Sequence, residues 1–581
     1  MSDPPTNATP RRHPTPVAAV ASPPYSVPRA PTPVDLVLDG NEGQAPHAEL
    51  LDALSTLTPE DLRRYPNTGE LTRLLALHHR VRPEEVLVTA GADDAIDRVC
   101  RAMLGPGRSL VIPSPTFEMI PRYAALAGAE VRRIPGGGFA FDRQAILDAV
   151  DDTTSLIVLI SPNNPTGLTI DRDDVEAILE ACPDALLLLD HAYVEFGGDD
   201  LTSDAPDHPN LVVTRTFSKA RGLAGLRVGY AVACPEVIRW LKSAGNPYPV
   251  SRPALALAAH WLVEGHREVE RFVDEVASER QIITEAFASR GIATTDSRGN
   301  FVLARVGDGL FWRDAMAGMG IGVRAFPGSD ELAAYVRLAC PGAGQDLRRV
   351  LRGIATIATP DAILFDLDGV FADVSRSYRQ AVIQTAASYG QSIDEEEIRA
   401  IKARGNANND WRVTQEILKA RGVDASLDEV TSRFEALYQG TPEEPGLWTE
   451  ETLLTDTAFL GALKDRGPKL GIVTGRPRND ADRFLDHFEL RAYFDVLVCM
   501  EDAPIKPNPR PVTLALERLR VSTAWFIGDT PDDMRAGRGA VVLPLGIIAP
   551  GEGPEDMGHA LLRAGAGRVL DHLTDILELL R

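Results

Sequence analysis

Cysteine is scarce: five residues in 581, placed singly at Cys100, Cys182, Cys234, Cys340 and Cys499, with no C-x-x-C pair and an odd total. That usage fits a reduced, cytoplasmic compartment better than a disulfide-held secreted one. Long apolar runs are also missing. None approaches the roughly 18 residues needed to cross a bilayer, and short candidates such as residues 185–189 have the length of a core strand. Near the start, Arg11 and Arg12 followed by apolar residues 17–21 have the outline of an export signal, but Pro14, Pro16, Pro23 and Pro24 interrupt it. Positive charge is short as well. Sixty Lys and Arg against 83 Asp and Glu leave a net charge of −23, a balance that repels nucleic acid and anionic membranes and favours small-molecule ligands.

What remains is ordinary globular material. Hydrophobic residues at 44% and charged residues at 25% exclude a disordered or fibrous chain, and the length admits several cores of about 150 residues each. Residues 1–34 are rich in proline, threonine and alanine without an apolar period, and are expected to form a mobile extended tail. From 35 to 357, strand-like runs at 85–89, 109–112, 155–160, 185–189 and 211–214 alternate with helical stretches such as 92–104. That alternation predicts an α/β domain with a mostly parallel sheet. A helix over 346–358 stops at Pro360, and a buried strand over 362–365 opens a second domain, 358–581. Within it, about 375–446 shows helical patterns only, so a helical insertion is expected on an α/β core.

In the first domain Ser218 and Lys219 sit among hydroxyls and are followed by a glycine-rich turn and Arg227, which suits a cofactor carrying both an aldehyde and a phosphate. Asn163-Asn164-Pro165 follows a strand and offers an amide to a phenolic oxygen, although an ordinary Asn-Pro turn reads the same way. Asp190 and Tyr193 end a buried strand, where ligands of open α/β sheets gather. Gly91-Ala92-Asp93 opens a helix and presents N–H groups to an anion, and Phe117 supplies an aromatic face.

Taken in order, these segments resemble the fold-type-I aminotransferases and, within them, the histidinol-phosphate aminotransferase family, over nearly all of 35–357. Asp39-Gly40-Asn41, Arg64-Tyr65-Pro66, Asn246-Pro247-Tyr248 and Asn300-Phe301 add to the match. The resemblance implies pyridoxal 5'-phosphate held by Lys219, which also shuttles the proton at the substrate's α-carbon. It implies Asp190 on the pyridinium nitrogen, Asn164 and Tyr193 on the ring oxygen, and Phe117 against the ring face. Ala92, Asp93, Ser218 and Arg227 would hold the phosphate, with Tyr65 reaching it from a second subunit, hence a homodimer. Arg337, helped by Arg324, would grip the substrate anion. Two departures from the family pattern are His191 in place of glutamate and Ala92 in place of serine.

In the second domain Asp366 and Asp368 end an apolar strand. Thr474 ends another, Lys506 supplies an amine, and Asp529 and Asp533 follow a further strand. This order resembles the four motifs of the haloacid dehalogenase superfamily, with a Rossmann-like core and an α-helical cap. By that resemblance Asp366 attacks phosphorus, and Asp368 protonates the leaving oxygen and then activates water. Thr474 and Lys506 bind phosphoryl oxygens. Asp366, the Asp368 carbonyl and Asp529 hold Mg²⁺, and Asp533 orients Lys506. An acid two residues after the nucleophile favours phosphate esters, so a phosphatase is expected. Residues 404–411 of the cap are candidates for substrate selection.

Jointly the resemblances imply two consecutive steps of histidine biosynthesis, transamination of imidazole-acetol phosphate with an amino-acid donor and dephosphorylation of histidinol phosphate. A transaminase and phosphatase pair of specialised metabolism, a phosphothreonine decarboxylase with a phosphatase, and a chain with one non-catalytic domain remain the alternatives.

Overall fold

The computed structural model describes residues 18–21, 24–404 and 409–580, and these form two compact units. The first holds Glu42–Ala277 and Thr295–Asn300 with the described residues before 28; the second holds Pro28–Asn41, Ser278–Thr294 and the chain from Phe301 onward.

The first unit is built on a seven-stranded sheet: β1 (Val86–Thr89), β2 (Ser109–Ser114), β3 (Glu130–Pro135), β4 (Thr154–Ile160), β5 (Leu186–Asp190), β6 (Leu211–Thr216) and β7 (Gly229–Ala233), in the order β1-β7-β6-β5-β4-β2-β3. β7 runs antiparallel to both neighbours and the other pairings are parallel. Every residue of β4, β5, β6 and β7 is buried. A parallel sheet covered on both faces demands such unbroken apolar runs rather than alternation. The ladder extends the run at 185–189 by one useful residue. Asp190 belongs to β5, with Ile160 and Thr214 as its register partners on either side. Thr89 and Thr216 both lie opposite Gly229, so the strand ends converge on one edge of the sheet. Helix α1 (Gly91–Met103) leaves from that edge.

The second unit contains an antiparallel sheet of β8 (Phe301–Arg305), β9 (Arg324–Ala325) and β10 (Tyr335–Ala339), in the order β9-β10-β8. Helices α2 (Gly309–Gly318) and α3 (Gly344–Ala358) accompany it. It also contains a six-stranded parallel sheet of β11 (Ala362–Phe365), β12 (Lys469–Val473), β13 (Val496–Val498), β14 (Ala524–Gly528), β15 (Leu543–Ile547) and β16 (Arg568–Leu570), in the order β13-β12-β11-β14-β15-β16. Between β11 and β12 the described residues form α4 (Tyr378–Ser388), α5 (Glu395–Arg404), α6 (Asp410–Ala420) and α7 (Leu427–Gln439). The chain enters and leaves this helical block through two short antiparallel strands, Ala372–Asp373 and Thr452–Leu453. Residues 405–408, part of the segment expected to select substrate, lie outside the described residues.

The six-stranded sheet is continuous with the helices before it. Trp525 of β14 is fully buried, donates its indole N–H to the Thr356 carbonyl of α3 at 2.7 Å, and meets Phe311 of α2 edge-on at 6.1 Å between centroids. Of the stretch expected to be a mobile tail, residues 1–17 and 22–23 are outside the described set, but Thr32 is buried and its hydroxyl donates to the Ala566 carbonyl at 2.5 Å. The Pro33 carbonyl likewise accepts from Arg538 at 2.7 Å. An extended, proline-rich segment has no internal hydrogen bonds, so its carbonyls are available to such partners. Among the described residues no helix is long and apolar enough to cross a membrane.

Replacing Trp525 with alanine removes the indole donor and leaves a cavity, which costs about 3–5 kcal/mol for a buried tryptophan. The expected result is a clear fall in the urea midpoint followed by circular dichroism, and an unchanged midpoint would show that this contact does not hold the unit together.

Candidate functional sites at the strand ends

In the first unit the predicted residues gather at the carboxyl edge of the sheet. Asp190 is buried and accepts from the Thr214 hydroxyl at 2.9 Å across the β5–β6 ladder. Burial pushes its carboxyl up to about 6, against the Thr214 bond and the Lys219 charge, which pull it down. Lys219 follows β6, with its Nζ 5.5 Å from the ring centroid of the buried Tyr193. Asn164 follows β4. Its neighbour Asn163 bonds the Pro115 carbonyl at 3.0 Å and accepts from Thr116 at 3.2 Å, which fixes the loop carrying the half-buried Phe117 beside it.

The start of α1 has no side-chain cap, so its first N–H groups are presented to whatever lies beyond. Arg227 reaches this point. Its guanidinium bonds the Ser218 hydroxyl at 3.4 Å and pairs with Asp93 at 2.9 Å. Gly91 has φ +79°, and a Cβ there would stand 2.7 Å from the guanidinium, so only glycine leaves this cradle open. The uncapped N–H groups of α1, the Ser218 hydroxyl and the Arg227 guanidinium form a donor set whose chemistry fits a phosphate. Tyr65 is 79% exposed and stacks on Tyr248 at 4.5 Å. Arg324 and Arg337 belong to the second unit, where they are buried and face each other in register across β9 and β10. Arg337 donates to the Asp39 carbonyl at 2.6 Å.

In the second unit Asp366 and Asp368 follow β11, which is flanked by β12 and β14, so Thr474 and Asp529 emerge on either side of them. Asp366 is buried, and the Lys506 ammonium lies 2.8 Å from its carboxylate and 2.5 Å from that of Asp533. Burial raises the Asp366 carboxyl, and Lys506 partly counters it. Burial works against the Lys506 charge, and its two carboxylate neighbours more than offset that, leaving the ammonium above its ordinary pKa. The other Asp533 oxygen takes the Thr530 N–H and hydroxyl at the start of the helix Pro531–Gly539. Gly369 has φ +72°, and a Cβ there would lie 2.2 Å from an Asp529 oxygen. Carboxylate oxygens of Asp366, Asp529 and Asp533 all fall within 4.8 Å of one another; Asp366 and Asp529 are hard donors that fit Mg²⁺, while both Asp533 oxygens already meet Lys506 and Thr530. A pocket lined by Asp366, Asp368, Asp529, Tyr378, Arg476 and Trp411 opens over them between core and helical block.

Residues 37–354, more than half the chain, match the family model described as aminotransferase class I and II. The chain belongs to that family. Residues 360–540 match the model for haloacid dehalogenase-like hydrolases, so this aminotransferase carries a hydrolase region behind it. A histidinol-phosphate aminotransferase of Pseudomonas syringae is 33% identical over 277 residues, covering 46% of this chain and 77% of that protein. A histidinol-phosphate aminotransferase structure from Sinorhizobium meliloti, solved with pyridoxal-5'-phosphate, superposes with a TM-score of 0.52 at 26% identity, over 60% of this chain and 99% of that one. An imidazoleglycerol-phosphate dehydratase of Phytophthora nicotianae is 42% identical over 230 residues, 37% of this chain. The chain spans about half of that relative's length, 51%.

Sequence alone does not single out Thr214 or Arg476, and it marks His191 only as a departure from the family pattern. Thr214 holds the Asp190 carboxylate, yet it reads as one more strand threonine until the ladder is known. His191 is buried within 2.8 Å of the Ser161 carbonyl through Nδ1, while Nε2 accepts from the Leu201 N–H at 3.4 Å. Only the neutral ring protonated on Nδ1 serves both contacts, and burial pushes its pKa down to about 4 accordingly. Arg476 binds Asp368 and Glu451, partners too distant in sequence to be guessed.

The raised Asp190 carboxyl has a testable sign. The folded chain holds this proton more tightly than the unfolded one, so the group's stabilising effect is present at low pH and is lost as pH rises to about 6. In cofactor-free protein the melting temperature of the wild type should fall relative to that of Asp190→Asn between pH 4 and 6 on the order of the usual carboxylate range. A difference that stays flat with pH would contradict the buried carboxyl.

Proposed function

We propose that the chain catalyses two consecutive steps of histidine biosynthesis, transaminating imidazole-acetol phosphate in residues 35–357 and dephosphorylating histidinol phosphate in residues 358–581. The observation that carries this reading is the presence in one chain of two separately built polar sites, one around Gly91, Ser218 and Arg227 and one around Asp366, Lys506 and Asp529. The relative named as a histidinol-phosphate aminotransferase and the one named as an imidazoleglycerol-phosphate dehydratase support the pathway.

Pyridoxal phosphate, when bound, supplies the electron sink that lets an amino group pass between carbon skeletons. Lys219 holds it and moves the proton at the substrate's α-carbon. Asp190 gives a cationic ring nitrogen the counter-charge that burial otherwise makes costly. Asn164 and Tyr193 orient the ring oxygen, Phe117 covers one face, and Ala92, Asp93, Ser218 and Arg227 surround the phosphate. Arg324 and Arg337 bind the substrate anion. Planar guanidinium donors suit a phosphate or a carboxylate. Exposed Leu62, Tyr65 and Leu77 support a homodimer in which Tyr65 completes the neighbouring phosphate site.

In the hydrolase region Asp366, the Asp368 carbonyl and Asp529 would hold Mg²⁺, which would supply positive charge to the phosphoryl group. Asp366 attacks phosphorus while Thr474 and Lys506 hold the oxygens, and Asp368 gives its proton to the leaving oxygen. Asp368 then takes a proton from the water that releases phosphate.

One incubation of the full chain with imidazole-acetol phosphate, glutamate, pyridoxal phosphate and Mg²⁺ should yield histidinol and inorganic phosphate. Histidinol phosphate that accumulates without phosphate release would sink the hydrolase assignment, and an unconsumed keto substrate would sink the aminotransferase one.

The two activities should also separate by mutation. Lys219→Ala is expected to lower transamination by roughly 10³-fold or more with phosphate release intact, and Asp366→Asn the reverse. Parallel loss of both activities in either variant would contradict two independent sites.

A further inference from the structure

We propose that Arg476 is the positioning residue for the Asp368 carboxylate, and that it ties that carboxylate to the seating of the helical cap. The inference rests on the phosphatase reading above.

Arg476 is almost fully buried, with its guanidinium 5.1 Å and 5.2 Å from the ring centroids of Tyr378 and Phe484. Its Nε donates to Asp368 Oδ1 at 2.6 Å, and its Nη2 lies 2.6 Å from the same oxygen. Both contacts therefore fall on Oδ1. A proton on Asp368 is directed by exclusion to Oδ2, the oxygen available to a leaving group in the pocket that Asp368 lines. A charge-assisted hydrogen bond from a buried guanidinium fixes the carboxylate's orientation, and a general acid works only when its proton points along the breaking bond.

The other end of Arg476 is anchored to the cap. Nη1 donates to Glu451 at 3.0 Å. Glu451 also accepts from Tyr438 at 2.9 Å and from Ser377 at 3.0 Å. Tyr438 lies on α7, Ser377 precedes α4, and Glu451 precedes the returning strand Thr452–Leu453. Both crossings between core and cap thus meet on one buried carboxylate, and Arg476 carries their position to Asp368. In the first half-reaction the Oδ2 proton passes to the ester oxygen as its bond to phosphorus breaks and the Asp366 oxygen bonds phosphorus. In the second, Asp368 takes a proton from water as the water oxygen bonds phosphorus and Asp366 leaves.

Leaving-group dependence tests this. p-Nitrophenyl phosphate expels an oxygen that needs no proton, whereas histidinol phosphate, phosphoserine and glycerol 3-phosphate are alkyl esters that do. With the full chain and Mg²⁺, Arg476→Gln should lower kcat/KM, which reports the first half-reaction alone, by roughly 10²-fold on the alkyl esters, within the range of general acid catalysis, and by only about threefold on the aryl ester. Arg476→Lys should recover part of the alkyl activity, and Glu451→Gln, which keeps the packing volume, should show the same selectivity more weakly. Equal losses on both ester types in the Glu451→Gln and Arg476→Lys variants, with unchanged melting temperature, would overturn the proposal. If the wild type hydrolyses none of the four esters, the phosphatase reading itself fails.

Discussion

A charge placed at the carboxyl end of a fully buried parallel strand must be compensated by side chains that arrive from other segments of the chain, because the strand itself offers none. Asp190 meets this demand with the Thr214 hydroxyl and the charge of Lys219, and its carboxyl still sits at about 6. Asp366 meets it with Lys506, which is itself held by Asp533. The order of strands in each sheet decides which compensating group is within reach. β5 lies between β4 and β6, and β11 lies between β12 and β14.

The same demand leaves both sites short of polar partners. A strand end that opens toward an uncapped helix, or toward several carboxylates awaiting a cation, has a polar deficit that a ligand can fill. At α1 the deficit is of negative charge, met in part by Asp93 through Arg227. At Asp366, Asp529 and Asp533 it is of positive charge, met in part by Lys506. The helical block adds a further layer, since Glu451 gathers contacts from both crossings and from Arg476.

Much of the architecture was legible from residue order. The runs at 155–160 and 362–365 became β4 and β11 almost unchanged, because strands buried on both faces leave a continuous apolar signature. Asp190, Lys219 and Asp366 stand out because each charged residue ends or follows such a run, and Lys506 by its place in the ordered motif set. Thr214, Glu451 and Tyr438 do not, because their importance comes from a partner many residues away. Their residue types are common in strands and helices, so no local pattern marks them. The tail was read from composition, and composition is silent about the Arg538 and Ala566 groups that engage Pro33 and Thr32.

Linear order alone was enough for two α/β regions, their motif residues and the family resemblance of each, since periodicity and motif spacing are properties of neighbouring positions. Folding supplied the rest: that Thr214 stands beside Asp190, that Trp525 joins the six-stranded sheet to the helices before it, and that Arg476 links the Asp368 carboxylate to the cap crossings. Those facts depend on strand order and on burial, which arise only when distant segments compete for the same interior space.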